Sequence, residues 1–78
     1  MNSITPNFDP LITEKIVIDR KIFFLDLKEN QRGRFLKITE DVSGHRDTIM
    51  IPEQALPEFA AALQRILEFA HVEPTHAI

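Results

Sequence analysis

Two stretches in the middle of the chain alternate with period two. From Lys21 to about Asn30, Phe23, Leu25 and Leu27 share one parity, and Phe24, Asp26, Lys28 and Asn30 share the other. From Arg34 to about Glu40, Leu36 and Ile38 take the inward positions, while Phe35, Lys37 and Thr39 point outward. Alternation of this kind marks half-buried strands. The segment Asn30-Gln31-Arg32-Gly33-Arg34 between them reads as a turn, with Gly33 free to take positive φ. A β-branched run in Glu14 to Asp19 predicts an earlier strand, and Asp47 to Ile51 a fourth, with Ile49 and Ile51 inward. Asp41-Val42-Ser43-Gly44-His45 has the composition of the turn before it.

Pro52 ends the fourth strand, because proline cannot donate to a ladder. The period then changes. From about Glu53 to His71, Leu56, Phe59, Ala60, Leu63, Ile66, Leu67 and Ala70 fall at i, i+3, i+4 spacing and predict an amphipathic helix. Pro57 is tolerable only in a first turn, so either the helix proper begins there or a short turn precedes it. Glu73-Pro74 stops the helix. The order is ββββα, an α+β unit over residues 14–71, with a mobile lead-in over 1–13 and a fraying tail over 72–78. Such a unit covers one face of its sheet with its single helix and leaves strand edges unpaired. A chain of 78 residues has little core to spare. Pairing with a second copy, through a seam of Leu56, Phe59, Leu63, Ile66 and Leu67, is therefore a physical expectation.

Composition narrows the chemistry. The chain has no cysteine, which removes thiolate catalysis and cysteine-based zinc sites. His45, His71 and His76 show no ligand-like spacing with carboxylates, and Ser43 lacks a nucleophile-elbow setting. No catalytic residue, metal, cofactor or small-molecule substrate is expected. The start of the chain has no signal-peptide pattern and no apolar stretch reaches the roughly 20 residues of a membrane span. The expectation is a soluble, cytoplasmic protein, with nucleoid association left open.

Charge supplies the functional lead. The formal net charge is −3, but it is unevenly placed. Arg20 to Lys37 holds six basic residues (Arg20, Lys21, Lys28, Arg32, Arg34 and Lys37) against the two acids Asp26 and Glu29, a net of +4. The remainder carries three bases and ten acids, a net of −7. A polyanion responds to the local patch. Phe35 has outward parity between Arg34 and Lys37, and Phe24 has it on the preceding strand. Rings on a polar face among lysines, arginines and an asparagine suit stacking on unpaired bases, with phosphates held by the cations.

The segment from Lys21 to Ile38, KIFFLDLKENQRGRFLKI, resembles the PUR repeat of the Pur-alpha family. It carries an aromatic pair before Leu-Asp, a Lys-x-Asn ending the second strand and Gly-Arg-Phe-Leu-Lys-Ile opening the third. The likeness continues through Thr48-Ile49-Met50-Ile51-Pro52 and the Glu58-Phe59 helix, over roughly residues 14–70. It implies a ββββα repeat, two copies of which intertwine into a Whirly-like PUR domain. A single repeat is similar to bacterial members that assemble the domain from two subunits. The resemblance further implies binding of purine-rich single-stranded DNA or RNA and regulation of transcription or transcripts. On that pattern Lys28 and Asn30 contact nucleic acid, and Phe35 stacks against or wedges between bases. Arg20 and Lys21 lie in the linker of the first two strands, and Arg32 and Arg34 in the basic turn. Glu29 stands where many members have glutamine, and Asp19 adds an acid near the first linker; the expected effect of both is weaker affinity or an altered base preference. The alternative is a non-enzymatic dimeric adaptor that keeps the PUR fold and binds protein.

Overall fold

The computed structural model of the protein describes residues 9–70. Four strands run β1 (Ile12–Ile18), β2 (Lys21–Asn30), β3 (Gly33–Val42) and β4 (His45–Pro52), followed by a 3₁₀ turn (Glu53–Ala55) and helix α1 (Leu56–Ala70). The strands form one antiparallel sheet in the order β1-β2-β3-β4. The expected ββββα order is the observed one. β1 begins at Ile12, two residues ahead of the β-branched run that announces it. The expected lead-in before residue 9, the tail, His71 and His76 lie outside the described residues.

Each hairpin has a two-residue loop with local chemistry to match. Asp19, at φ 54°, opens the β1–β2 loop, and aspartate is among the few residues that tolerate this region. In the β2–β3 loop the Asn30 side-chain carbonyl accepts a 2.8 Å hydrogen bond from the Arg32 backbone N–H, closing an Asx turn. Gly33 follows at φ 133°. Ser43 (φ 54°) and Gly44 (φ 89°) form the β3–β4 loop with positive φ at both positions, the twist that suits a tight hairpin. Pro57 falls in the first turn of α1, after the 3₁₀ turn, where its missing N–H is not needed.

Register assigns every strand residue to a face. Leu25 pairs with Ile38 and Leu27 with Leu36, and the same face gathers Ile12, Ile16 and Ile18 from β1 and Ile49 and Ile51 from β4. This is the apolar face. Its core is nearly absent: Ile51 is the one buried hydrophobic residue among those described, while Ile12, Ile16, Ile18 and Ile49 stay exposed.

The helix does not cover that face. No residue of α1 is buried, and Phe59, Leu63, Ile66 and Leu67 lie bare. Contrary to the expectation from the ββββα order, the single helix does not blanket its own sheet. The 3₁₀ turn carries the chain away after Pro52, and the radius of gyration, 15.3 Å, exceeds the roughly 11 Å of a compact chain this size.

Candidate nucleic-acid interface

The other face of the sheet is polar and can be laid out in cross-strand rows. Lys28, Phe35 and Pro52 make one row. Thr13, Asp26, Lys37 and Met50 make the next, then Lys15, Phe24, Thr39 and Thr48, then Val17, Ile22, Asp41 and Arg46. Strand geometry puts the Phe24 and Phe35 positions about 14 Å apart. Both rings are half-buried rather than sealed in. Thr39, whose parity reads as outward, is on this face but only 6% exposed. Its short side chain sits in an inner strand, with Phe24 across from it.

Cations dominate this face. Lys15, Lys28, Lys37 and Arg46 stand against the acids Asp26 and Asp41. The opposite face has the reverse balance, with Lys21 and Arg34 against Glu14, Glu29, Glu40 and Asp47. Among the described residues the ion pairs engage Lys21, Arg34 and Arg46, leaving Lys15, Lys28 and Lys37 without a carboxylate. Phe24 carries two of the cations: the Lys15 ammonium lies 5.8 Å from its ring centroid and the Arg46 guanidinium 5.6 Å.

Asp41 holds the β3–β4 corner. Its Oδ1 accepts from the Gly44 backbone N–H at 2.9 Å and its Oδ2 from Arg46 Nε at 2.8 Å. These two donors, the Gly44 amide foremost, keep its carboxyl below the usual carboxylate range. Arg46 is thereby fixed over Phe24.

The residues singled out in the sequence divide in three. Phe24, Lys28, Asn30, Phe35 and Lys37 share the polar face. Lys21 and Arg34 lie on the apolar face instead, Lys21 paired with Glu40 at 3.0 Å and Arg34 with Glu29 at 3.5 Å and Glu53 at 3.7 Å. Their parity, shared with Leu27 and Leu36, sends them there. Arg20 and Arg32 occupy the β1–β2 and β2–β3 loops. Asn30 has its carbonyl committed to the Asx turn, so its amide N–H₂ is what remains to offer a ligand. Lys15 and Arg46 join the face although the sequence did not single them out. Only the hairpin register, set by two-residue loops, brings them beside Phe24.

The shallow depression of about 550 Å³ at the β1–β2 loop is lined by Ile18, Asp19, Arg20, Lys21, Phe23 and Val42, away from this array. Among the described residues no His, Asp and Glu side chains cluster to hold a metal ion, and no helix is long and apolar enough to cross a membrane.

A four-stranded antiparallel meander followed by one helix, with rings and cations spread over one face of the sheet, has the architecture of a PUR repeat. Over residues 3–76 the sequence matches the family model described as PurA ssDNA and RNA-binding protein, and the chain belongs to that family. It is 40% identical over 70 residues to the human transcriptional activator protein Pur-alpha, covering 81% of this chain and 22% of the relative. It is 43% identical over 49 residues to transcription factor Pur-alpha 1 of Arabidopsis thaliana, covering 63% of this chain and 17% of the relative. To the human purine-rich element-binding protein gamma it is 38% identical over 71 residues, covering 74% and 20%. The chain thus spans about a fifth of the length of these curated relatives.

Proposed function

We propose that this chain binds single-stranded, purine-rich DNA or RNA on the polar face of its sheet, as a homodimer, and through that binding regulates transcription or transcripts. The observation that carries the reading is the co-location of Phe24 and Phe35 with Lys15, Lys28, Lys37 and Arg46 on one face. Every base has a π-face, so a stacked base gains on the order of 1–3 kcal/mol with little regard to sequence. Phe35, flanked by Lys28 and Lys37 and free of any ring-bound cation among the described residues, is the open platform. Phe24 already has two cations against its ring, so a base arriving there displaces one of them or shares it. The lysines without carboxylate partners are available to phosphate. Arg20 and Arg32, in the loops, extend the contact, and the Asn30 amide reaches a base edge. Lys21 and Arg34 contribute at most to the general field, being on the other side of the sheet.

Dimerisation belongs to the same reading. The chain exposes 6667 Å², against about 4,900 Å² for an ordinary folded monomer of 9.0 kDa. The surplus is more than the roughly 800 Å² that one partner buries in a standard interface. Bare apolar surface occurs twice per chain, on the sheet and on the stripe of Phe59, Leu63, Ile66 and Leu67. Two copies related by a twofold axis, each laying its helix on the other's sheet, cover both surfaces at once. Leu56, at the start of the stripe, is already half-covered.

The regulatory part is drawn from the names of the relatives, which describe transcriptional activation and binding of purine-rich elements. Fluorescence anisotropy with a panel of labelled single-stranded DNA and RNA oligomers tests the reading. Submicromolar binding of purine-rich strands supports it. A purified protein that ignores every oligomer favours instead a protein-docking role for the sheet.

A further inference from the structure

An acid occupies the centre of the cationic face. Asp26 lies between Phe24 and Lys28 on the same side of β2 and directly across from Lys37. Strand geometry places it about 7 Å from the Phe24 position and about 8 Å from Phe35. Of the two acids on this face, Asp41 is consumed by Gly44 and Arg46, but Asp26 has no ion pair among the described residues. Among the described residues its one side-chain hydrogen bond comes from the Thr13 hydroxyl, which donates to Oδ1 at 2.6 Å. That bond orients the carboxylate and leaves Oδ2, with the second lone pair of Oδ1, turned to no partner among the described residues.

A carboxylate here repels phosphate and only accepts hydrogen bonds. On a nucleic-acid face it is compatible with hydrogen-bond donors alone, a base edge carrying N–H groups or, in RNA, a ribose 2′-hydroxyl, and only the base edge can offer two donors side by side. Guanine alone among the common bases presents two adjacent donors on one edge, the ring N1–H and the exocyclic N2 amine. Adenine and cytosine offer an exocyclic amine beside an acceptor, and thymine or uracil a ring N–H between two carbonyls. That edge is free only when guanine is unpaired. Two parallel N–H donors on one carboxylate form the short, charge-assisted, bidentate arrangement.

From this placement we infer that Asp26, oriented by Thr13, is the residue that selects unpaired guanine, accepting from N1–H and N2–H while the base lies between the two phenylalanine platforms. The inference rests on the nucleic-acid reading above and deepens it. Lys37, across the strand pair, serves the neighbouring phosphate and does not quench the carboxylate.

The test compares one guanine-containing single strand with the same strand in which inosine replaces guanine, removing the N2 amine and nothing else. Binding is measured by anisotropy for the full chain and for Asp26→Asn, which keeps size and shape. The wild-type protein is expected to prefer guanine by about five- to a hundredfold, the range of a good bidentate base contact. In Asp26→Asn the preference falls towards one, while the inosine strand binds within about twofold of wild type or more tightly, a repulsive charge having gone. Thr13→Val, which removes only the orienting hydroxyl, lowers the preference several-fold. If Asp26→Asn loses affinity for both strands, Thr13→Val decides, and its preference must still drop. A guanine preference unchanged in the variants, or absent from the wild type, overturns the assignment and leaves nucleic-acid binding standing. No binding of either strand by the wild type overturns both.

Discussion

Phe35 stands directly across from Lys28 in the β2–β3 register, so a ring and an ammonium share one spot on the polar face. A base stacked on that ring brings its own phosphate within reach of that ammonium. Phe35→Ala removes the platform and leaves the cation. Affinity for a purine-rich single strand should fall about five- to a hundredfold, the equivalent of one stacked base. The assembled mass, read by light scattering, should stay the same. Undiminished affinity in this variant removes stacking at Phe35 from the account.

Ionic strength separates phosphate contact from stacking. With about four phosphates neutralised, log K against log salt should slope near −3 for a single strand. Lys28→Ala or Lys37→Ala should each flatten the slope by about 0.7. A slope close to zero in the unaltered protein would dismiss the cationic face as a phosphate track.

The bare stripe on α1 makes a prediction about assembly. Burying a leucine side chain contributes roughly 1.5–3 kcal/mol, and twofold symmetry counts each substitution twice. Leu63, now 60% exposed, would become a buried charge in Leu63→Glu. Sedimentation should then show loss of the dimer, accompanied by a broad, early melt. An unchanged mass and melting curve would move the seam elsewhere.

Acid should loosen the β3–β4 corner. The Asp41 carboxyl is held below its ordinary value by the Gly44 amide and then by Arg46, so folding favours the ionised form. The associated stability is complete above the unfolded value of about 3.9 and disappears as pH falls through the lower folded value. Asp41→Asn should therefore melt earlier than wild type at pH 6, and the gap should narrow as pH falls below the ordinary carboxylate range and through the lower folded value. Parallel melting curves across that window would show that the carboxylate contributes nothing.

Much of this was legible in the residues themselves, and the exceptions have physical causes. Alternation in Phe23–Leu27 and Phe35–Ile38 gave each strand two faces, and the change of period after Pro52 announced the helix. Nearness in sequence groups Lys21 and Arg34 with the basic patch. Period two assigns them to the opposite side, where both find acids. Lys15 and Arg46 are the complementary case, lying outside that patch in sequence. Their place beside Phe24 depends on pairing between strands, which the loops at Asp19-Arg20 and Ser43-Gly44 decide. An apolar stripe on a helix, finally, states that something covers it but not which chain does.

The order of the sheet also bears on how the protein is made. Every ladder joins strands adjacent in sequence; even the distant partners Lys21 and Val42 close a hairpin. Such loops close within microseconds, with no dependence on protein concentration. On the proposed pairing of two copies, the helix, finding no seat on its own sheet, waits for an encounter between two molecules. Refolding should accordingly separate into a fast step indifferent to dilution and a slower one that dilution delays, and the melting temperature should climb with concentration.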